Sequence, residues 1–437
     1  MTLQNLNLNI HHVTRVEGHG NITVDLKNGV IEKCQWSVPE APRFFESMLV
    51  GREWHEVSYI VSRICGICSI GHTLASLKAS EAAMGIEISD QTRLLRRILC
   101  HGENFQSHVL HVFFLTAPDL LGAPSVFPLV ATHPDVVKLA LKLKRLANDM
   151  CDVFAGRTTH PNNTTLGGFT GYPGAEAVEG ILARLKDTRP DLEFASKVLL
   201  SLKDKIPAYQ RETEFIALKS DEEYALYDGW VASTDLPGQK IPVANYRNVV
   251  NEFVVPYSTA KHARHQRDSY FVGALARFNL SYDQLVPGAK EAAAAFGLKP
   301  LCYNSFMNNV AQFVETVHSV EESIRLMEEL LNRGIEEEAP VRTIGAGQGA
   351  GAVDVPRGLL CHDYTYDEQG KVLRANCVIP TNQNHRNIEY DLHEFLPQLI
   401  AAGKDEKEIA LGLEMVVRAY DPCISCSTHY LDVTFKK

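Results

Sequence analysis

Two Cys-x-x-Cys pairs stand near opposite ends of the chain, Cys65 and Cys68 in RICGIC and Cys423 and Cys426 in DPCISC. Each pair can present two thiolates to a soft metal, and one centre holding both pairs would tie the two ends of the fold together. A Cys-x-x-Cys pair alone has several meanings. A redox-active dithiol fits Cys65 and Cys68 but leaves the second pair without a role. A structural zinc site with four thiolate ligands uses both pairs, and two unrelated buried pairs use no metal at all. A catalytic soft-metal site is the fourth reading, because glycine, arginine, histidine and carboxylates crowd the same segments. Cys34, Cys100, Cys151, Cys302, Cys361 and Cys377 lack ligand spacing and, among apolar neighbours, read as core residues.

The segments between the pairs must bring them together. Residues 20–36 alternate partially on both sides of Asn28-Gly29, the signature of a hairpin closed by a type I′ turn. The pattern is helical over His72–Met84 and again over Gln91–Leu115, whose length and apolar spacing mark a central packing element. Helical patterns recur over 134–155, 175–204, 258–277, 306–333 and 404–418, the last delivering the chain to Asp421-Pro422-Cys423. Residues 205–257 offer no secure boundary. GAGQGAGAVDVPRG (345–358) reads as irregular and glycine-rich. Its GAGQGA is taken as a loop, not a dinucleotide fingerprint, because no convincing helix follows. Short strands fit 370–379. The expected fold is mainly α (α+β), helical with small peripheral β-sheets and with both cysteine pairs at element edges.

A chain of 437 residues can bury a large core, and its formal charge of -10 argues against a general nucleic-acid or anionic-membrane binder. No run approaches the roughly 20 apolar residues of a membrane span, and MTLQNLNLNI is no secretory signal, so a cytoplasmic protein without direct membrane insertion is expected. Ten cysteines are too sparse for a disulfide scaffold.

Six blocks together resemble the large, catalytic subunit of [NiFe] hydrogenases: RVEGHG (Arg15–Gly20), RICGICSIGH (Arg63–His72), GRTTHP (Gly156–Pro161), VPRG (Val355–Gly358), PTNQN (Pro380–Asn384) and DPCISCSTH (Asp421–His429). They keep the family order across nearly the whole chain. The resemblance implies one large-subunit domain over 1–437, with a β-rich part (1–60), a helical body around a central bundle of long helices (61–340) and a part that closes the metal site (341–437). It also implies a nickel–iron centre whose iron carries one CO and two cyanides. Cys65 and Cys423 would be terminal nickel ligands, and Cys68 and Cys426 would bridge to iron, work that suits soft, deprotonated thiolates. H2 is a very weak acid, so splitting it into proton and hydride needs a Lewis-acid metal pair and a nearby base. The resemblance makes the Cys423 sulfur the first base and Glu17 the carboxylate that receives its proton. Arg357 would stand at the open side of the centre, oriented by Asp119 and Asp421. Thr381, with backbone donors beside Pro380, would hydrogen-bond a cyanide, and His72 a bridging sulfur. Glu46, His429 and a backbone carbonyl near Cys377 would hold a separate Mg2+, or iron. Without the family, Glu17 reads as a solvated carboxylate, and Arg357 and Asp421 as turn residues.

Three positions depart from the family's commonest pattern. Phe44 stands where many relatives have glycine, Leu166 replaces a frequent proline, and Asp354 stands where glutamate is usual. Tyr430–Lys437 follow the histidine after which relatives are usually cut once nickel is installed. The chain is therefore expected to be either an unprocessed precursor or a type that keeps a short tail. No cysteine set remains for iron–sulfur clusters. Electrons are thus expected to pass to a small subunit carrying such clusters and on, through diaphorase or other subunits with FAD or FMN, to NAD(P), ferredoxin, a deazaflavin or heterodisulfide reductase. Maturation factors would assemble the centre. An H2 sensor signalling to a kinase and a non-catalytic zinc-stapled scaffold are the competing functions, and the intact cysteine pairs argue against a respiratory-complex relative.

Overall fold

Alternating apolar residues near the N-terminus build an antiparallel meander of β1 (Leu6–Ile10), β2 (Asn21–Lys27) and β3 (Val30–Ser37). Leu6, Leu8, Ile22, Val24 and Leu26 turn inward. Asn28 and Gly29 take φ of 51° and 78°, as the expected two-residue turn requires. The computed structural model describes residues 4–428. His429 and Tyr430–Lys437, with the expectations attached to them, lie outside the described residues.

Long helices form the body: α1 (Ser69–Met84), α2 (Asp90–Val109) and α3 (Pro134–Ala155). The Ser89 side chain caps α2 by accepting from Thr92 N at 3.0 Å, and α3 starts on Pro134, which needs no acceptor there, and ends at Gly156 with φ 73°. Every residue of α2 from Ile98 to Val109 is buried, and a π-helical stretch, Leu110–Thr116, continues it. Next, β4 (Glu214–Lys219), β5 (Trp230–Ser233) and β6 (Tyr270–Phe271) make a small sheet in the order β6-β4-β5. α4 (Asn308–Arg333) follows, and both it and α3 pack on α2. A second antiparallel meander, β7 (Gly347–Val355), β8 (Gly358–Tyr366) and β9 (Val372–Val378), leads into α5 (Pro380–Ala401) and α6 (Glu406–Ala419). The architecture is mainly α, a bundle of long helices with small sheets around it, as expected. Among the described residues no helix is long and apolar enough to cross a membrane.

The structure departs from the sequence reading in several places. Residues 258–277 are not one helix: His262–Arg264 and Tyr270–Phe271 are strands, and a helix begins only at Ala274, because Phe271 pairs with Phe215 of β4. The 175–204 pattern is two helices, Ala175–Lys186 and Arg189–Ser201, the second started by Pro190 in its first turn. The helix α5 was not expected. Phe44 takes φ 55°, which costs a non-glycine residue about 1–2 kcal/mol and accounts for the glycine expected there.

The glycine-rich stretch is a strand, not a loop, because of what lies against it. Gly347, Gly349 and Gly351 alternate along β7 and so share one face, and that face meets the backbone of α1. A Cβ on Gly349 would lie 2.6 Å from Ala79 O, and one on Gly351 2.5 Å from Ala75 O. The helix answers with a small residue at every fourth position: Gly71, Ala75, Ala79 and Ala83. Four helical residues rise about 6 Å and two strand residues about 6.8 Å, so the two rows stay in step. They run antiparallel, Gly347 at Ala83 and Val355 at Gly71. The seam therefore fixes the start of α1, directly after Cys68, beside the end of β7, directly before Pro356-Arg357. Gly349→Ala is expected to destabilise the chain by about 2–3 kcal/mol, since the overlap is with backbone that cannot yield. Gly345→Ala, whose Cβ meets nothing within 4 Å, should stay within about 0.5 kcal/mol. Urea unfolding of the two variants checks the pair.

Candidate metal centre

Cys68 is the N-cap of α1, and Cys65 follows the short helical turn Ser62–Ile64. Cys423 and Cys426 come after α6, where Asp421 takes φ 50° and Pro422 prevents the helix from continuing. The four buried sulfurs meet. Cys65 Sγ lies 3.6 Å from Cys423 Sγ, and Cys423 Sγ 2.8 Å from Cys426 Sγ. Cys426 Sγ is within 4.8 Å of both those sulfurs, and equally of Cys68 Sγ and a ring nitrogen of His72. It joins the two pairs.

The N-terminal segment closes on the second pair. Glu17 and Cys423 form a parallel bridge, with Ile424 N donating to Glu17 O at 2.9 Å. Gly18, at φ 85°, permits the approach, since a Cβ there would lie 2.7 Å from Ile424 Cβ. Glu17 Oε2 accepts from Ser425 N at 3.0 Å and stands 3.2 Å from Cys423 Sγ. An amide thus aims the carboxylate at a thiol within hydrogen-bond reach.

Arg357 is the second residue of the two-residue turn between β7 and β8. Its Nε donates to Asp421 O (2.7 Å) and its Nη2 to Asp421 Oδ1 (2.9 Å). Nη1 is buried with no protein partner among the described residues. Burial opposes its charge, but Asp421 and the thiols of Cys423, Cys68 and Cys65 hold its pKa well above the usual arginine value. Gln312 Nε2 holds the other Asp421 oxygen at 3.0 Å. The turn itself hangs on Arg277, which donates to Val355 O (2.8 Å) and Pro356 O (3.1 Å). Arg277 is gripped by Glu315 at 2.7 Å and Asp354 at 2.5 Å, and His108 and Tyr224 also bind Glu315.

Asp119 does not orient Arg357, contrary to expectation. Its carboxylate is taken by Arg15 and by Arg418, at 2.7 and 3.1 Å from the latter, and no hydrogen bond joins it to Arg357. Arg418 also donates to Thr14 O at 3.0 Å. Asp119 therefore pins the N-terminal segment to the end of α6, which steadies Glu17 and Cys423 together. Asp421 alone of the two pairs with Arg357.

Pro380 opens α5, and Thr381 Oγ1 accepts from Cys423 N at 3.1 Å, which leaves its hydroxyl hydrogen to donate elsewhere. His72 meets His362 at 3.2 Å through Nδ1. Glu46 is buried, and its Oε1 accepts from Cys377 N at 2.8 Å, so these two expected neighbours of a second metal do stand together.

Burial pushes the Cys426 thiol well above the ordinary value; at Cys65 burial is outweighed by hydrogen bonds from Cys423, Cys426 and Cys68, which draw it well below. Thiolates this close repel one another, and a soft cation is what lets all four ionise together. The donor set fits such ions. A structural zinc would account for the sulfurs but not for a carboxylate and an unpartnered guanidinium nitrogen converging on them. Sequence reasoning missed Arg277, Glu315 and Arg418, and also Glu103, which accepts from Ile70 and Gly71 at the start of α1. Glu103 had a signal: it continues the buried row Leu95, Leu99 of α2, where a charged residue needs a reason.

A family model described as nickel-dependent hydrogenase matches residues 43–132 and 203–429, and one described as HoxL-like matches residues 7–41. The chain is 33% identical over 426 residues to the sulfhydrogenase 2 alpha subunit of Pyrococcus furiosus, covering 97% of this chain and 99% of that one. With the sulfhydrogenase 1 alpha subunit of the same organism it shares 32% identity over 424 residues, 97% of this chain and 98% of that one. A solved NAD+-reducing [NiFe]-hydrogenase in the H2-reduced state superposes with a TM-score of 0.87 at 25% identity, covering 98% of this chain and all of that chain. With the four sulfurs and their surroundings in place, the chain belongs to the nickel-dependent hydrogenase family, as a large subunit of the [NiFe] type.

Proposed function

We propose that this chain is the catalytic subunit of a [NiFe] hydrogenase that interconverts H2 with protons and electrons. The observation that carries this reading is the meeting of both cysteine pairs with Glu17 Oε2 only 3.2 Å from Cys423 Sγ. When bound, a nickel–iron pair with CO and cyanide on the iron supplies the Lewis acidity that makes H2 acidic enough to lose a proton. Cys65, Cys68, Cys423 and Cys426 would hold the metal pair through their sulfurs. Cys423 Sγ takes the first proton and Glu17 receives it, kept in line by Ser425 N. Arg357, fixed through Nε and Nη2 on Asp421, keeps Nη1 for the small-molecule side of the centre. Thr381 and the first amides of α5 would offer hydrogen bonds to a cyanide on the iron, and His72 one to a cysteine sulfur. Glu46, with the backbone carbonyl near Cys377, would hold Mg2+ or iron, the expected His429 ligand lying outside the described residues.

The other cysteines of this chain form no further cluster of metal ligands among the described residues, so electrons leave to a partner. A small subunit with iron–sulfur clusters accepts them, and flavin-bearing subunits carry them to a soluble acceptor such as NAD(P) or ferredoxin. The likeness to an NAD+-reducing enzyme supports that class of acceptor.

Glu17→Gln keeps size and hydrogen bonding but cannot relay a proton. Deuterium exchange between H2 and heavy water should fall about 100-fold or more with nickel and iron content unchanged; exchange near the wild-type rate would remove Glu17 from the path. Arg357→Lys keeps the charge but loses the planar fork, and H2 oxidation should fall by about 100-fold while both metals stay bound. Steady-state rates with an artificial acceptor, alongside metal analysis, measure this.

A further inference from the structure

A helix that begins directly on a metal ligand lacks its ordinary cap. The first amides of an α-helix have no acceptor within it, and the N-cap side chain usually provides one. The N-cap of α1 is Cys68, whose side chain makes no capping bond and whose sulfur faces Cys426. The first bond within α1 is His72 N to Cys68 O at 3.2 Å, so the amides of Ser69, Ile70 and Gly71 need acceptors from elsewhere. Glu103, on α2, answers two of them. Its Oε1 accepts from Ile70 N (2.9 Å) and Gly71 N (3.1 Å), and its Oε2 from Gly71 N (3.0 Å). Glu103 is 2% exposed, and among the described residues it takes part in no ion pair. A Cβ on Gly71 would lie 2.7 Å from Glu103 Oε2, so the helix is bare where the carboxyl group approaches.

We propose that Glu103 is a positioning residue of the metal centre: from α2 it caps α1 across the helix pair and so fixes where Cys68 and His72 stand. The proposal rests on the metal-site reading above. Its arm comes from the most deeply buried part of α2, which cannot shift without moving the core. The seam with β7 holds the flank of α1, and Glu103 holds its tip. Burial pushes the Glu103 pKa up to about 8, so a neutral group of the same shape can stand in for it.

Three variants of the assembled enzyme separate reach from charge. Glu103→Gln keeps the length and a carbonyl acceptor, Glu103→Asp keeps the charge but draws the acceptor back by about 1.5 Å, and Glu103→Leu removes the acceptor. The readouts are nickel retained per chain during dialysis against a chelator and the infrared bands of CO and cyanide. Glu103→Gln is expected to match wild type, while Glu103→Asp and Glu103→Leu lose nickel about tenfold or more readily and show shifted bands. Wild-type behaviour of Glu103→Asp with a defective Glu103→Gln would show that charge matters and overturn the proposal, as would unchanged bands and retention in Glu103→Leu. Should Glu103→Leu not fold, the Asp and Gln pair still decides. Hydrogen exchange on the wild-type chain decides without any variant: the Ile70 and Gly71 amides should exchange slowly, and rapid exchange overturns the cap. Bands in the wild type with no response in Asp or Leu would sink the cap alone, whereas their absence from the wild type sinks the metal reading beneath it.

Discussion

The backbones of α1 and β7 lie against each other with almost no side chain between them, and the position of the site follows from that contact. Gly347, Gly349 and Gly351 face a helix row of Gly71, Ala75, Ala79 and Ala83. A contact made by side chains can relax through rotamers, but one made by backbone moves only as a unit. Cys68 enters α1 at one end of the seam and the Pro356-Arg357 turn leaves β7 at the same end. The Cys68 sulfur and the Arg357 guanidinium are thereby placed relative to each other before any metal is considered. β8 and β9 extend the same sheet to Pro380 and Thr381.

Buried charge supplies the rest of the positioning. Arg357 with Asp421, Arg277 with Glu315 and Asp354, and Asp119 with Arg15 and Arg418 are each almost wholly removed from water. Such pairs add little net stability, because desolvation offsets much of the attraction, but removing one partner costs about 3–5 kcal/mol. They work here as fixed distances. The Arg277 cluster holds the hairpin tip that presents Arg357, and the Asp119 cluster holds the N-terminal segment that presents Glu17. Glu17 and Arg357 thus arrive from different parts of the chain, each on its own buried anchor.

Much of this was legible in the sequence, and the failures have physical causes. The cysteine pairs, the Asn28-Gly29 hairpin and the helices expected over 91–115, 134–155 and 306–333 carry strong spacing or periodicity, while the one expected over 72–84 shows itself by its alanine- and leucine-rich composition. β7 was unreadable as a strand because alternating glycines carry no hydrophobic alternation; what that face packs on is helix backbone. α5 was missed because Asn382, Gln383, Asn384, His385 and Asn387 are polar yet buried, so the helix has no apolar stripe where it meets the site. The acidic partner of Arg357 was half right. Asp421 binds it, whereas Asp119 binds Arg15 and Arg418, and spacing alone cannot tell which of several arginines folds onto a given carboxylate. Glu103 was passed over because α2 was read for its apolar row, and the polar member of that row is what touches the start of α1.

The central claim is that the sulfurs of Cys65, Cys68, Cys423 and Cys426 close around one nickel–iron unit. X-ray absorption at the nickel and iron edges of the purified enzyme complex tests it most directly. The account predicts nickel and iron in equal amounts, nickel with a sulfur environment and iron as its near neighbour. Zinc in a four-sulfur environment, with no iron beside it, would contradict the account.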